Sequence, residues 1–244
     1  MVPSNPVFCA VDTADLSRAT GLASELSGVV GGLKLGLEFV YGSGLKAIDA
    51  VRKASGGMPL FLDFKFIDIP TTVAAAVTAL VPKAPYMLNV HALGGREMMR
   101  AAVTAARDGA LKQGVPRPLM VAVTVLTSLD QEAVSEVGIS GSVTDQVRRL
   151  AELSQKCGMD GVVCSPMEAR MLRDQCGPDF KLVVPGVRPD WAASNDQKRV
   201  LTPAEAMAEG ADILVVGRPI TGDPSPAGAA RRVLQEIESR GRNR

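Results

Sequence analysis

The chain has 244 residues, of which 46% are hydrophobic and 22% charged, and its 27 Lys and Arg nearly balance its 26 Asp and Glu. These values are typical of a folded protein with a substantial core and exclude wholesale disorder, while the length is compatible with one domain or two. The near-neutral charge, with Arg residues gathered only in a short C-terminal tail, does not favour generic binding to nucleic acid or to a membrane surface.

Few residues are available for metal or imidazole chemistry. The four cysteines show no CxxC spacing and there is one histidine, so neither a zinc finger nor a zincin site can be assembled, and no metal is expected. We expect the cysteines to be buried thiols in a reducing compartment. No apolar run approaches the roughly 18 residues of a transmembrane helix, and Asp12 and Asp15 interrupt the segment that a signal peptide would keep apolar. The sequence therefore predicts a cytoplasmic protein whose chemistry depends on Asp and Lys.

Short apolar runs rich in Val, Ile and Leu alternate along the chain with longer stretches of helical periodicity. The pattern occurs eight times and predicts strands at 7–11, 32–35, 60–64, 86–90, 119–125, 161–164, 181–184 and 213–216. Helices are predicted between them, including 16–26, 40–53, 71–81, 97–112 and 143–157. Strands that are apolar on both faces and joined by crossover helices form a parallel sheet, and eight such units in this length predict a (β/α)8 barrel.

An open, doubly wound sheet is the structural alternative. Such a sheet normally has a glycine-rich turn after its first strand, where a dinucleotide binds, but here Val11 is followed by Asp-Thr-Ala-Asp. This weakens both the open sheet and a nicotinamide or flavin cofactor. No linker or low-complexity tract divides the chain, so residues 1–244 are predicted to form a single domain, with one long irregular stretch at about 186–198 that we expect to be a mobile loop.

Polar residues stand at the carboxyl ends of the predicted strands, where barrels of this type place their working residues. The densest cluster is the segment 61–72. Because side chains alternate along a strand, Asp63 and Lys65 are expected to point into the barrel, while Asp68 follows the strand on the rim. An isolated Asp-x-Lys pair could simply close the top of the barrel. With Asp12 and Lys34 on the same rim, burying alternating charges merely to fill space would be too unfavourable, and a functional site is the better interpretation.

The eighth strand runs into Gly217 and Arg218, at the position where these barrels often hold a phosphate. A Gly-Arg pair could equally be a turn with a solvated arginine, but Arg188 after the seventh strand supplies a second cation. We therefore expect a phosphorylated small molecule as the ligand. The glycines in segment 41–44 are expected to break or cap a helix, and His91 is interpreted as a satisfied, partly buried histidine.

Several segments, in order along the chain, resemble the orotidine 5′-monophosphate decarboxylase family in its bacterial form. They are LKLGLEF (33–39), FLDFKFIDIPTT (61–72), NVHA (89–92), VTVLTS (123–128), DGVVCS (160–165), VPGVRP (184–189) and VVGRPIT (215–221). The D-x-K-x-x-D pattern after a third strand is highly specific, whereas the Gly-Arg ending is shared by many phosphate-binding barrels. Ile67 departs from the many relatives that have a histidine there. The resemblance implies a barrel of the ribulose-phosphate-binding type.

The same resemblance implies decarboxylation of orotidine 5′-monophosphate (OMP) to UMP without metal or organic cofactor. It makes Lys65 the proton donor to carbon 6, places Asp63 against the departing carboxylate, and completes the charged array with Lys34 and Asp68. The resemblance also implies further substrate contacts. Asp12, Lys34 and Thr72 would lie on the ribose side, Thr127 at the pyrimidine, and Arg188, Gln197, Gly217 and Arg218 at the phosphate. It also implies a homodimer with shared active sites, in which Asp68, Ile69 and Thr72 reach into the neighbouring subunit.

Two other functions remain open from the sequence. A sister decarboxylase of keto-sugar acid phosphates has a similar segment but needs Mg²⁺, which favours carboxylate oxygens. That family has a glutamate at the end of strand 2, where this chain has Lys34. The chain could also be an inactive sensor of phosphorylated ligands, although a sensor would have no need of Lys65.

Overall fold

The computed structural model describes residues 3–192 and 201–241. Within these residues eight parallel strands pair in chain order, and β1 pairs with β8 to close a barrel. The strands are β1 (Val7–Ala10), β2 (Gly32–Leu35), β3 (Leu60–Phe66), β4 (Met87–His91), β5 (Leu119–Val123), β6 (Gly161–Val163), β7 (Lys181–Pro185) and β8 (Ile213–Val216). The predicted barrel is confirmed, and β2 and β8 begin and end at the predicted residues.

Helices surround the barrel. They are α1 (Leu16–Glu25), α2 (Leu37–Ser43), α3 (Ala47–Ala54), α4 (Pro70–Leu80), α5 (Gly95–Gln113), α6 (Gln131–Glu136), α7 (Val143–Lys156), α8 (Ala169–Cys176), α9 (Pro203–Ala208), α10 (Arg218–Thr221) and α11 (Pro226–Gly241). The single helix predicted at 40–53 is wrong: it is the two helices α2 and α3. Gly44 ends α2 with φ 79°, a left-handed conformation that glycine adopts without steric cost, so the expected break at 41–44 is confirmed.

Side chains of the strands alternate between two apolar layers. Phe61 and Met87 point into the barrel and belong to an interior cluster, while Leu62 and Leu88 point outwards and pack under the helices. The interior cluster is completed by Phe8, Val121, Val123, Val163, Val183 and Ile213. The barrel is therefore filled with side chains below the polar residues at its carboxyl end.

Two aspartates tie neighbouring strands together at the opposite, amino end. Asp160, just before β6, accepts a hydrogen bond from the Met120 amide of β5 at 2.7 Å. Asp212, just before β8, accepts one from the Leu182 amide of β7 at 2.8 Å and forms an ion pair with Arg173. These carboxylates stabilise the amino end of the barrel, on the far side from the candidate site.

The loop predicted at 186–198 lies partly outside the described residues. At its base, the Arg188 amide donates to the Leu201 carbonyl at 3.0 Å. All four cysteines are buried free thiols, as expected. Across residues 3–192 and 201–241, no helix is both long enough and apolar enough to span a bilayer.

Candidate active site

Four charged side chains from three consecutive strand ends form one continuous chain of ion pairs. Lys34 Nζ lies 2.6 Å from Asp12 Oδ1 and 3.7 Å from Asp63 Oδ2. Lys65 Nζ lies 2.7 Å from Asp63 Oδ1. The charges alternate in sign along the series Asp12, Lys34, Asp63, Lys65, so each ion is next to an opposite charge. Four of the five residues expected to converge at the carboxyl end are thus in contact.

Burial decreases along this chain of charges in both directions from its centre. The side chains of Lys34 and Asp63 are only 9% and 14% exposed, whereas those of Lys65 and Asp12 are 35% and 49% exposed. A charge with so little access to water is stable only when it is paired and hydrogen-bonded. The buried centre is therefore a fixed electrostatic framework, and Lys65 presents an ammonium that a ligand can reach.

The backbone of Lys65 departs from the regular strand that the sequence predicted. Its φ is 50°, in the left-handed region, where a non-glycine residue is disfavoured by about 1–2 kcal/mol. Between the pairs Leu62–Leu88 and Phe66–Val90 the register of β3 and β4 shifts. Asp63 and Lys65 still meet, but through an irregular strand rather than simple alternation. Such outliers, when the surroundings hold them in place, are typical of functional sites.

Asn89, which the sequence reasoning did not assign, spans this irregularity. Its side-chain amide donates to Asp63 Oδ1 at 2.6 Å, and its carbonyl oxygen accepts from the Lys65 backbone amide at 2.7 Å. The side chain is fully buried in β4. The signal in the sequence was a polar residue at an inward-facing position of a strand that is otherwise apolar up to His91.

Gly36 is a second residue that the sequence reasoning left out. It follows β2 directly, and a Cβ at this position would lie 3.0 Å from Lys34 Nζ and 3.2 Å from Asp12 Oδ1. Both distances are shorter than an ordinary van der Waals contact with carbon. The absence of a side chain at Gly36 therefore leaves room for the Lys34–Asp12 ion pair.

A cavity of about 600 Å³ is lined by three of these four charged residues and by the expected phosphate corner. Its lining includes Asp12, Lys34 and Asp63 on one side and Arg188, Gly217 and Arg218 on the other. A second cavity of about 880 Å³ contains Thr127 and shares Gly186 and Arg218 with the first. One ligand with an anionic end could thus contact residues at the first strands of the barrel, such as Asp12, and residues at the last strand, such as Arg218.

Trp191, for which the sequence suggested no role, forms part of the wall of the first cavity. The guanidinium carbon of Arg232 lies 4.0 Å from the centroid of its ring, in a cation–π arrangement. Arg232 also pairs with Asp223 at 2.5 Å. These contacts join the segment after β7 to helix α11 beside the two expected phosphate cations.

Two expected site residues, Asp68 and Thr72, lie apart from this array. Asp68 is exposed, and its carboxylate accepts a hydrogen bond from the Ile69 amide at 2.6 Å. It makes no ion pair with any residue in the described ranges. Thr72 is exposed in the first turn of α4. Gln197 lies outside the described residues.

His91 sits at the end of β4 as a buried side chain, and its Nδ1 accepts from the Leu93 amide at 3.4 Å. Burial, reinforced by the positive charge of Lys65, lowers the pKa of its imidazole. The neutral, hydrogen-bonded ring agrees with the interpretation of a satisfied histidine. In the part of the chain that is described, no three His, Cys, Asp or Glu side chains are grouped to hold a metal ion.

Comparison with known proteins gives a consistent result. The sequence profile described as "Orotidine 5'-phosphate decarboxylase / HUMPS family" matches residues 5–233. A protein from Rhodospirillum rubrum named orotidine 5'-phosphate decarboxylase is 59% identical over 96% of this chain and 94% of its own length. One of the same name from Paramagnetospirillum magneticum is 54% identical over 96% of this chain and 98% of its own length.

The fold comparison agrees with the sequence comparison. The crystal structure of orotidine 5'-phosphate decarboxylase from Lactobacillus acidophilus superposes with a TM-score of 0.83 at 32% identity, covering 96% of this chain and 99% of the other. The profile match spans all eight strands, and the identities extend over nearly the whole of each relative. The chain therefore belongs to the orotidine 5'-phosphate decarboxylase / HUMPS family.

Proposed function

We propose that the protein is an orotidine 5′-phosphate decarboxylase, which converts OMP to UMP and CO2 in pyrimidine biosynthesis without a metal or organic cofactor. The observation that carries the proposal is the continuous series Lys34, Asp63, Lys65 at the carboxyl end of the barrel, of which the first two line a cavity that also contains two arginines. The name of a relative that is 59% identical supports the same activity. As a biosynthetic enzyme with buried free thiols, it is assigned to the cytoplasm in this proposal.

The reaction breaks the bond between carbon 6 and the carboxylate. CO2 leaves and the electron pair stays on carbon 6, where no adjacent carbonyl can delocalise it. The enzyme must therefore stabilise this charge electrostatically and deliver a proton at once. In our proposal Lys65, held as an ammonium beside Asp63, attracts the developing carbanion and then transfers a proton from Nζ to carbon 6.

Asp63 would lie against the departing carboxylate, but repulsion supplies only part of the rate. Two carboxylates about 4 Å apart at an effective dielectric constant of 20 repel by about 4 kcal/mol, which is about three decades of rate. Lys34 and Lys65 both lie within 4 Å of Asp63 and offset part of that repulsion. Stabilisation of the transition state by the ammonium groups is thus the larger contribution.

The remaining proposed contacts come from both cavities. In the first cavity Asp12 and Lys34 would bind the ribose hydroxyls, while Arg188, Gly217 and Arg218 would bind the phosphate. In the second, adjoining cavity Thr127 would contact the pyrimidine. Gln197 belongs to the phosphate set in this proposal, although it lies outside the described residues. We also propose that residues 1–244 form a single domain, because the first strand of the chain pairs with the last to close one barrel.

We further propose a twofold dimer in which Asp68 and Thr72 enter the neighbour's active site. Asp68 is exposed on the rim, and among the described residues its carboxylate is bonded only by the next backbone amide, although it is the third charge of the D-x-K-x-x-D segment. The two residues that flank Asp68, Ile67 and Ile69, are large and apolar, and they are 55% and 64% exposed. Neighbouring exposed apolar side chains of this kind are typical of a protein interface.

The test of the activity is conversion of OMP to UMP by purified protein after exhaustive chelation. We expect full turnover, and we expect Lys65→Ala to abolish it while a UMP analogue still binds, because the phosphate contacts lie elsewhere. Loss of activity with EDTA and its return with Mg²⁺ would instead favour the sister decarboxylase. Binding of the analogue without turnover by the wild-type protein would favour a sensor.

The test of the shared site is subunit exchange between two inactive variants, Lys65→Ala and Asp68→Ala. Each heterodimer would regain one site with both native residues, so random pairing of equal amounts should restore about a quarter of wild-type activity. If Asp68 serves its own chain, activity stays at the level of the separate variants after exchange is demonstrated, and the shared site is wrong.

A further inference from the structure

The irregular segment of β3 leaves one residue of β4 opposite three of β3. Leu62 is paired with Leu88 and Phe66 with Val90, so residues 63–65 face Asn89 alone. Backbone groups of β3 alternate between its two neighbours, since the Pro59 carbonyl accepts from Leu33 of β2 and the Leu60 carbonyl accepts from Tyr86, just before β4. In a regular ladder the amide of Lys65 would therefore face β2, but here it is turned towards β4 and bonded by the Asn89 side chain, at 2.7 Å. The Asn89 side chain thus satisfies a backbone donor that the irregular segment takes out of regular strand pairing.

The carboxamide of Asn89 is bonded on both of its functional ends to the two residues of the proposed catalytic pair. Its carbonyl oxygen accepts from Lys65, and its amide nitrogen donates to Asp63 Oδ1 at 2.6 Å. The same Asp63 oxygen receives the Lys65 ammonium at 2.7 Å. Asn89, the Lys65 backbone and the Lys65–Asp63 ion pair therefore form one closed ring of contacts.

We infer that Asn89 is a positioning residue that fixes the Lys65 ammonium and the Asp63 carboxylate relative to each other for decarboxylation. This inference rests on the proposed function. Asn89 has no exposed surface, so it acts through its two partners rather than on the substrate. Its donor holds the carboxylate, while its acceptor holds Lys65 at φ 50°, a conformation that a lysine does not favour by itself.

The inference requires that the side chain at position 89 both donates and accepts a hydrogen bond. Two variants distinguish this requirement from a need for any polar side chain at the buried position. Asn89→Leu keeps a similar shape and removes both hydrogen bonds. Asn89→Asp introduces a carboxyl that only accepts when ionised, but that has one O–H donor and one carbonyl acceptor when protonated. The proximity of Asp63 disfavours ionisation of the introduced carboxyl and raises its pKa.

The experiment measures kcat and KM for OMP from about pH 5 to about pH 9, a range that lies above the reference pKa of carboxyl groups and includes that of imidazole. Active sites are counted by titration with a tight-binding UMP analogue. For Asn89→Leu we expect kcat per site to fall about 100-fold, as for a misplacement of about 1 Å, with KM little changed. For Asn89→Asp we expect kcat to recover as the pH falls. Wild type and Asn89→Leu, which contain the same neighbouring Asp12, Lys34, Asp63, Lys65 and His91, report the pH dependence of those groups.

Ser154→Ala is the matched control, because Ser154 is also a fully buried polar residue but bonds the Leu150 carbonyl in α7, away from the site. We expect it to change stability without changing kcat per site. If Asn89→Leu behaves like this control, or if Asn89→Asp shows no recovery at low pH, Asn89 is only a satisfied buried group and the inference is wrong. Should Asn89→Leu not fold, the Asn89→Asp profile decides alone.

A measurement without substrate separates this inference from the proposed function. Hydrogen exchange of the Lys65 amide, followed by NMR, should be slow in wild type and faster in Asn89→Leu, with the Ser154→Ala variant as control. A wild-type protein that does not convert OMP would refute the proposed function, yet this exchange would still show whether Asn89 holds Lys65. Equal exchange in wild type and Asn89→Leu would overturn the inference even in an active enzyme.

Discussion

Gly36→Ala would place a methyl group against the Lys34–Asp12 ion pair. The added Cβ would lie 3.0 Å from Lys34 Nζ, about 0.4–0.5 Å closer than an ordinary contact between carbon and nitrogen, so the ammonium must move by about that distance. Moving it away from both carboxylates would lengthen separations that are now 2.6 Å and 3.7 Å. At an effective dielectric constant of 20 the lost attraction is about 1.5 kcal/mol, and water around the half-exposed Asp12 reduces it to about 1 kcal/mol.

We therefore expect Gly36→Ala to lower kcat/KM for OMP at least fivefold, the equivalent of about 1 kcal/mol, and up to about 100-fold if the displaced ammonium misplaces the ribose. The assay is steady-state kinetics with urea unfolding in parallel. Gly21→Ala is the control, because Gly21 is exposed in α1 with nothing within 4 Å of the added Cβ. That control should gain about 0.5–1 kcal/mol of stability and keep its kinetics. Normal kcat/KM in Gly36→Ala would refute the view that the Lys34–Asp12 geometry matters for turnover.

Three further outcomes are expected. Arg218→Ala should lower kcat/KM more for OMP than for the nucleoside without phosphate, by the equivalent of about 1.5–3 kcal/mol of transition-state stabilisation. Equal losses on the two substrates would make Arg218 structural. Because burial lowers the pKa of His91, the unfolded chain takes up a proton near pH 6.5 before the folded protein does, so stability should fall with decreasing pH below about 7 and level off below the folded pKa. His91→Asn should remove that part of the pH dependence, as measured by urea unfolding at each pH. Asp212→Ala should destabilise the barrel by about 3 kcal/mol, since it leaves the partly buried Arg173 without this carboxylate. Asp212→Asn keeps an acceptor for the Leu182 amide and should lose less stability, and equal losses in urea unfolding would contradict this.

The strands were predictable because they satisfy two patterns at once. They are short, apolar and rich in β-branched residues, and each is followed by a longer stretch of helical period. Eight repeats of that unit left little choice of architecture. The polar residues at the strand ends were also visible, so the contact of Asp63 with Lys34 and Lys65 followed from the barrel itself.

The details that the sequence did not predict depend on contacts between strands. Asp-Phe-Lys-Phe has the pattern of a regular strand, and nothing within β3 announces that Lys65 adopts φ 50°. That conformation is stabilised by Asn89, which lies 24 residues later in the chain. Gly36 was missed for a similar reason, since the space that it leaves is defined by Asp12, a residue of another strand end. Pattern within one segment cannot report such contacts.

The pairing of β1 with β8 has a consequence for how the protein is made. On the ribosome, Asp12, Lys34, Asp63 and Lys65 emerge long before Ile213–Val216 can supply the last strand. Until then one edge of Val7–Ala10 has no strand beside it, and an open edge is a template for pairing with other chains. A nascent chain thus carries the four charges of the candidate site while one sheet edge is unprotected, and chaperones that bind exposed strands would act most usefully during that interval.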